Sequence, residues 1–305
     1  MVSLLTGILY MIVIAEFVTG NVANCFIALV NCTDWVKRQK MSLVDHILTA
    51  LALFRIGLLW TMLIYSHAVV FDSASYSLEV NMSFLTFSII SNHFSLWFAT
   101  SLSIFYLFKI ANFSGFVFLY LKWRIKKVLL SLMLGSLAIL ISQIAVEGIY
   151  DKMLVYEDEG NLMWKGTLKA SLLLSRMTIF TLTNFIPFIL SLIAFVLLIF
   201  SLGKHLWKMQ FSGKGTRDAS TQVHIRALQT VISFLLVFAG YFLTLTGSLW
   251  SFYKKQSRSH LLVCLAIEIL CPSSHSFVLI WGNKKLKEAF LSFLWQLKCW
   301  LREKV

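Results

Sequence analysis

Arg55 stands in the middle of an apolar run, LTALALFRIGLLW from Leu48, where no water can solvate its charge. On insertion scales such a charge costs about 2.5–3.5 kcal/mol at the centre of a membrane helix. It is therefore expected to face other helices, with Asn24 and Ser276, on two further apolar runs, as partners in an interior polar latch. Glu16, Asn92, His93, Glu147, Asn184, Tyr241 and Glu268 also lie in or at the ends of apolar runs. Inside a membrane, side chains of these types mostly hydrogen-bond from helix to helix. Catalysis finds no footing among them. The carboxylates are too scattered to read as a paired acid and base, and no HExxH, GxSxG, Walker or Rossmann glycine pattern occurs. Cys25, Cys32, Cys264, Cys271 and Cys299 show neither CxxC nor Cys/His metal spacing, and no disulfide framework. The expectation is a protein without enzyme activity, metal or cofactor, whose chemistry is recognition.

A set of membrane helices must position these residues. The chain has 305 residues, 58% of them hydrophobic and 13% charged, where a soluble domain carries about 25% charge. Apolar runs at about 4–30, 45–68, 84–108, 127–148, 175–203, 226–252 and 260–282 each reach the roughly 20 residues that a crossing needs. Backbone groups in lipid must pair internally, so each run is read as a helix. After the last, Leu286, Phe290, Phe293, Leu294, Leu297 and Leu301 recur at three- and four-residue steps among lysines. That is the pattern of a basic amphipathic helix lying in a membrane surface. The expected fold is an all-α membrane protein: a seven-transmembrane helix bundle over residues 1–282 with a C-terminal amphipathic interfacial helix over 283–305. No short apolar segment with a small-residue cleavage site precedes Leu4, so the first span is expected to serve as the insertion signal. Only two prolines, Pro187 and Pro272, interrupt the runs, and no internal repeat of the kind common in transporters is evident.

The net charge of +13 raises the question of nucleic acid, but the lysines sit in short segments beside the apolar runs. One set of loops with the tail holds 19 Lys and Arg, the opposite set holds 7, and Arg55 is within a span. A bias of that size orients a membrane protein, placing the N-terminus outside and the tail in the cytoplasm. No nucleic-acid partner is expected. The longest outer loop, from Tyr150, carries the acidic run Glu157–Glu159, a solvated face or, more sharply, a funnel for cationic ligands.

Six blocks in order carry a family likeness: EFVTGNVANCFIALVNCTDWVKRQK from Glu16, LTALALFRIGLLW from Leu48, NHFSLWFATSLSIFYLFKIANFS from Asn92, FLYLKWRIKK from Phe118, LLIFSLGKHLWKMQ from Leu197 and HSFVLIWGNKKLKEAF from His275. Through them the chain resembles, along essentially its whole length, the type 2 taste receptors, the bitter-sensing seven-helix G-protein-coupled receptors. Like that family, it lacks the acidic-Arg-Tyr and NPxxY motifs and the outer disulfide of common rhodopsin-like receptors. Arg55 falls where those receptors usually hold a sodium-binding aspartate, so sodium modulation is not expected.

The resemblance implies a ligand cavity among the third, fifth, sixth and seventh spans. Asn92 and Tyr241 match positions that line or floor it. Ser88 stands where several relatives have tryptophan, and Leu265 where some have an acidic residue, which Glu268, one turn inward, is placed to supply. The implied ligands are small, mostly apolar bitter compounds. The implied partner is a heterotrimeric G protein of the gustducin type, received in a cytoplasmic crevice flanked by Lys109, Lys122, Lys126, Lys204, Lys208 and Arg226. Membrane lipid explains those cations equally well. The expected location is the plasma membrane, multi-pass. The family often bears a glycosylation sequon in the second outer loop; here Asn81-Met-Ser is the outer candidate, whereas Asn31-Cys-Thr and Asn112-Phe-Ser face the cytoplasm. Homo- or hetero-oligomers stay open. A pheromone- or odorant-type chemosensory receptor shares the architecture, and a membrane carrier is the reading from another class.

Overall fold

The computed structural model describes residues 4–37, 40–71, 78–111, 113–156, 165–211, 232, 235–247 and 258–303. Among them the secondary structure is helical throughout: α1 (Leu4–Val36), α2 (Leu43–Phe71), α3 (Leu78–Ile110), α4 (Phe116–Trp123), α5 (Ile125–Tyr156), α6 (Lys165–Phe211), α7 (Leu235–Gly247), α8 (Arg258–Gly282) and α9 (Lys284–Glu303). Five segments are long and apolar enough to cross a bilayer: Leu4–Val36, Leu43–Phe71, Ile125–Tyr150, Leu173–Lys204 and Ser259–Gly282. The chain is thus a helical membrane protein. Of the two other expected spans, α7 is a shorter apolar helix in its described part. The other, α3, is long and apolar on average but carries a run of polar residues. Its Ser91, Asn92, His93, Ser95, Thr100, Ser101 and Ser103 are all buried, because α3 is the helix enclosed by α2, α5 and α6. A helix surrounded by protein need not be apolar, since neighbours satisfy its polar groups.

Two expected boundaries shift. At about 1.5 Å per residue, the 47 residues of α6 extend over about 70 Å, so it projects past any hydrocarbon layer of about 30 Å. The stretch between Lys109 and Lys127, read from its lysines as a joint, contains a helix of its own, α4.

Among the described residues α1 lies against α2 and α8, α2 against α3 and α8, and α3 against α5 and α6. α7 meets α6 through a ladder of rings, with Phe188 stacked on Phe242 at 4.5 Å and tilted against Phe238 at 5.6 Å. One apolar cluster joins Ile27, Leu48, Leu51, Leu102, Ile280 and Leu286; another joins Val13, Leu59, Leu96, Phe195, Tyr241 and Ile269. Hydroxyls in the helices return to their own backbone, as Thr33 Oγ1 to the Leu29 carbonyl at 2.7 Å and Thr181 Oγ1 to Met177 at 2.8 Å. That is how a polar residue survives where water is absent.

The break between α8 and α9 is written in Asn283. Its Oδ1 accepts from the backbone N–H groups of Lys285 (3.0 Å) and Leu286 (3.4 Å), an N-cap that restarts the helix. Leu286 is fully buried in the bundle, and Phe290 meets Phe26 of α1 edge-on at 5.4 Å. Beyond it Phe293, Leu294, Leu297 and Leu301 are exposed.

Candidate functional site

The middle of the bundle holds two polar assemblies. In the first, Arg55 Nη1 of α2 donates to Ser276 Oγ of α8 at 3.2 Å, and that hydroxyl lies 2.8 Å from both Asn24 Oδ1 of α1 and the Pro272 carbonyl. Asn24 Nδ2 donates back to the Gly20 carbonyl at 2.8 Å. Arg55 Nη2 also donates to His275 Nδ1, so that nitrogen carries no proton. The structure therefore brings Asn24, Arg55 and Ser276 together, 3% exposed at most. It adds His275, which the sequence contained only as the neighbour of Ser276. Pro272 lies one turn before Ser276 within α8, where it removes a helix N–H.

The second assembly spans α3, α6 and α7. Tyr241 Oη donates to Asn92 Oδ1 at 2.5 Å, Asn92 Nδ2 donates to Asn184 Oδ1 at 3.0 Å, and Asn184 Nδ2 donates to the Phe180 carbonyl at 2.7 Å. Every donor in that chain meets an acceptor. Below it, toward Pro187, Thr100 of α3 lies 3.1 Å from the Pro187 carbonyl and accepts from Ser191 Oγ at 2.8 Å. These bonds hold α3 against α6 at the proline, where the ladder of α6 is interrupted. Asn184 was visible as a polar residue in an apolar run; nothing in its spacing announced Asn92 as its partner.

An apolar crevice of about 540 Å³ opens between α6 and α7, lined by Leu174, Met177, Thr181, Leu182, Leu243 and Thr246 among others. The threonine hydroxyls there are committed to their own helices, Thr246 to Phe242 at 3.0 Å and Thr181 to Met177. The crevice thus presents methyl groups rather than donors.

Other residues singled out from the sequence lie elsewhere around this centre. Ser88 Oγ reaches Thr61 Oγ1 of α2 at 3.4 Å. Leu265 is buried with Val70 and Leu262 against Leu9 and Tyr10, in a cluster separate from that of Tyr241. Glu268 is 5% exposed and within electrostatic reach of Tyr65 and Tyr241.

The sequence profile of the Taste receptor protein (TAS2R) family matches residues 1–298. The chain belongs to this family. It is 50% identical to taste receptor type 2 member 43 of Homo sapiens, 49% to taste receptor type 2 member 45 of Pan paniscus and 50% to taste receptor type 2 member 31 of Pongo pygmaeus. Each alignment covers 99% of this chain and 98% of the relative. The protein is a multi-pass membrane receptor of the bitter taste class and not an enzyme.

At the end of the receptor where α1 finishes and α2 begins, the described cations take different roles. Lys109, Lys126 and Lys204 are exposed. Lys122 Nζ donates to the Ala111 carbonyl at 3.1 Å, closing the end of α3. The Lys208 side chain and Arg226 lie outside the described residues, as do the Asn81 side chain, Asn112 and the acidic run at Glu157–Glu159. Asn31 is fully buried and its Oδ1 accepts from Lys285 Nζ at 2.9 Å. Lys285 also reaches Asp34 Oδ2 at 2.6 Å and Asp45 Oδ1 at 3.4 Å. One ammonium thereby ties α1, α2 and α9. The sequence counted Lys285 only as an inner charge. All five cysteines are free thiols.

Proposed function

We propose that this receptor crosses the membrane seven times, N-terminus outside and tail in the cytoplasm, and detects small, mostly apolar bitter compounds in the crevice between α6 and α7. The observation that carries the reading is the apolar crevice between α6 and α7, the two helices whose Asn184 and Tyr241 are joined through Asn92 of α3. An apolar space of a few hundred Å³ suits a small, mostly apolar ligand. By the family likeness Asn92 and Tyr241 floor the ligand cavity, and Ser88, Leu265 and Glu268 belong to its surroundings. Arg55, Asn24 and Ser276 serve as the latch that keeps α1, α2 and α8 in register while the other helices move.

An agonist in the crevice touches α6 and α7 together, so it favours whichever arrangement of those two helices fits it. Their far ends then separate and admit the terminal helix of a gustducin-type heterotrimeric G protein between Lys109, Lys122, Lys126, Lys204, Lys208 and Arg226. The exposed apolar side of α9 rests in the inner membrane surface. Asn81 is the outer glycosylation acceptor, and the receptor acts in the plasma membrane.

Calcium release in cells expressing the receptor with a gustducin-type G protein, challenged with chemically diverse bitter compounds, tests the function. A response that vanishes when the G protein is withheld supports it. Agonist-dependent ion or solute flux without any G protein points instead to a carrier. Tags at the two termini that label from opposite sides of the membrane support the topology, and labelling from one side overturns it.

A further inference from the structure

The helix α4, FVFLYLKW, is apolar but for Lys122. One side belongs to the bundle. Phe118 packs against Phe108 and Phe113, each at 5.1 Å, and one turn on Lys122 closes the end of α3. The opposite side is bare: Phe116 is 83% exposed, Val117 69% and Trp123 79%, with Tyr120 beside them. A helix that is hydrophobic all round calls for an apolar medium on both sides. A G protein visits only an activated receptor, so it leaves this face uncovered the rest of the time.

Geometry places a different medium within reach. A single residue, Arg124, separates α4 from α5, whose membrane-span candidate begins at Ile125. Lys122, in the last turn of α4, is held to the end of α3 through Ala111, and Phe118 packs on Phe108 of α3. α4 is thus fixed at the level where α3 and α5 leave the bilayer. Charge completes the argument. Arg124 lies over the rings of Tyr120 (5.1 Å) and Trp123 (5.5 Å), and exposed Lys126 and Lys127 follow on the first turn of α5. No Asp or Glu occurs from Phe116 to Val146. Among the described residues none of these three cations is paired with a carboxylate.

We propose that α4 is a membrane-docking helix that lays Phe116, Val117, Tyr120 and Trp123 into the acyl boundary of the bilayer while Arg124, Lys126 and Lys127 hold the phosphate and carboxylate groups of anionic phospholipid. Aromatic and aliphatic side chains with a flanking basic cluster are the two ingredients of stable interfacial binding. The cation–π stacking orients the guanidinium in advance.

The test is photo-crosslinking of the full-length receptor in nanodiscs of phosphatidylcholine mixed with phosphatidylserine. The amino acid p-benzoylphenylalanine replaces Trp123, and in a control it replaces the inward-facing Phe118. Irradiation should add phospholipid mass at position 123 and not at 118, with or without G protein, and phosphatidylserine should be enriched over its share of the disc. Combining Arg124→Gln, Lys126→Gln and Lys127→Gln should abolish the enrichment while leaving lipid adducts. Absence of lipid adducts at 123, adducts with the G-protein α subunit alone, or adducts in the bulk lipid ratio would each overturn the proposal. Because nanodisc leaflets have the same composition, the outcome does not depend on which terminus is outside, which the tags decide separately.

Discussion

Tyr241 on α7 donates its hydroxyl to Asn92 Oδ1 on α3 at 2.5 Å, and both side chains are buried, at 3% and 8% exposure. The bond joins the helix enclosed by the bundle to one wall of the crevice, so its loss should be felt by whatever occupies that crevice. A hydrogen bond between membrane helices is worth about 0.6–1.7 kcal/mol. Tyr241→Phe should therefore shift agonist EC50 by about threefold to twentyfold at unchanged surface expression. Unchanged potency across a broad compound panel would separate the Tyr241–Asn92 bond from ligand response.

Gly20 of α1 marks a close approach between α1 and α8. A Cβ built there would come 2.2 Å from Ser273 Oγ and 2.9 Å from Ser273 Cβ, and that same hydroxyl donates to the Glu16 carbonyl at 3.0 Å. Overpacking typically costs about 1–3 kcal/mol. Gly20→Val should reduce folded receptor at the cell surface, Gly20→Ala less so, and Ser273→Gly should partly restore the alanine variant. A fully expressed, thermally unchanged Gly20→Val receptor would mean that α1 and α8 do not approach so closely.

Long apolar runs made most of the helices legible, because lipid leaves a backbone no other way to pair its groups. What stayed hidden depended on neighbours. The rotation of α8 decides that His275 joins Ser276 in facing Arg55, 220 residues away in the chain. α4 is short, carries Lys122 and lies between Lys109 and Lys127, so its charges read as a loop, although its other residues are apolar. The enclosure of α3 explains why its polar content did not prevent a long helix, and that enclosure is a property of packing. Asn24, Arg55 and Ser276 could be singled out because a charge in lipid has so few permissible partners. Asn184 and Lys285 could not, since each has many.

Lys285 provides a sharper test of the inner end. Its ammonium reaches Asn31, Asp34 and Asp45 at 2.9, 2.6 and 3.4 Å, while Asp45 Oδ2 also accepts from the backbone N–H and hydroxyl of Ser42. Lys285→Met leaves two carboxylates near each other with no cation between them. The sites are part-exposed, so a loss of about 1–2 kcal/mol is expected, between the values for surface and buried pairs. Thermal stability of the purified receptor should fall, and protease should release α9 more readily. Adding Asp34→Asn to Lys285→Met should recover part of the loss. If the double variant is no better than Lys285→Met, like-charge repulsion is not what the lysine relieves.

Arg55 offers the most demanding case, because its bonded partners Ser276 and His275 are neutral acceptors and Asn24 is reached through the Ser276 hydroxyl. Removing either Asn24 or Ser276 interrupts the same relay, so the two changes should not add. Asn24→Ala and Ser276→Ala, alone and together, should show a coupling of about 0.5–3 kcal/mol in receptor stability, and additive losses would deny the relay. The guanidinium has a second consequence, since a fixed positive charge at this depth repels any cation that would settle beside it. Replacing sodium with a large organic cation, at constant chloride and osmolarity, should leave agonist EC50 unchanged. A reproducible sodium-specific shift would overturn the expectation that this receptor lacks sodium modulation.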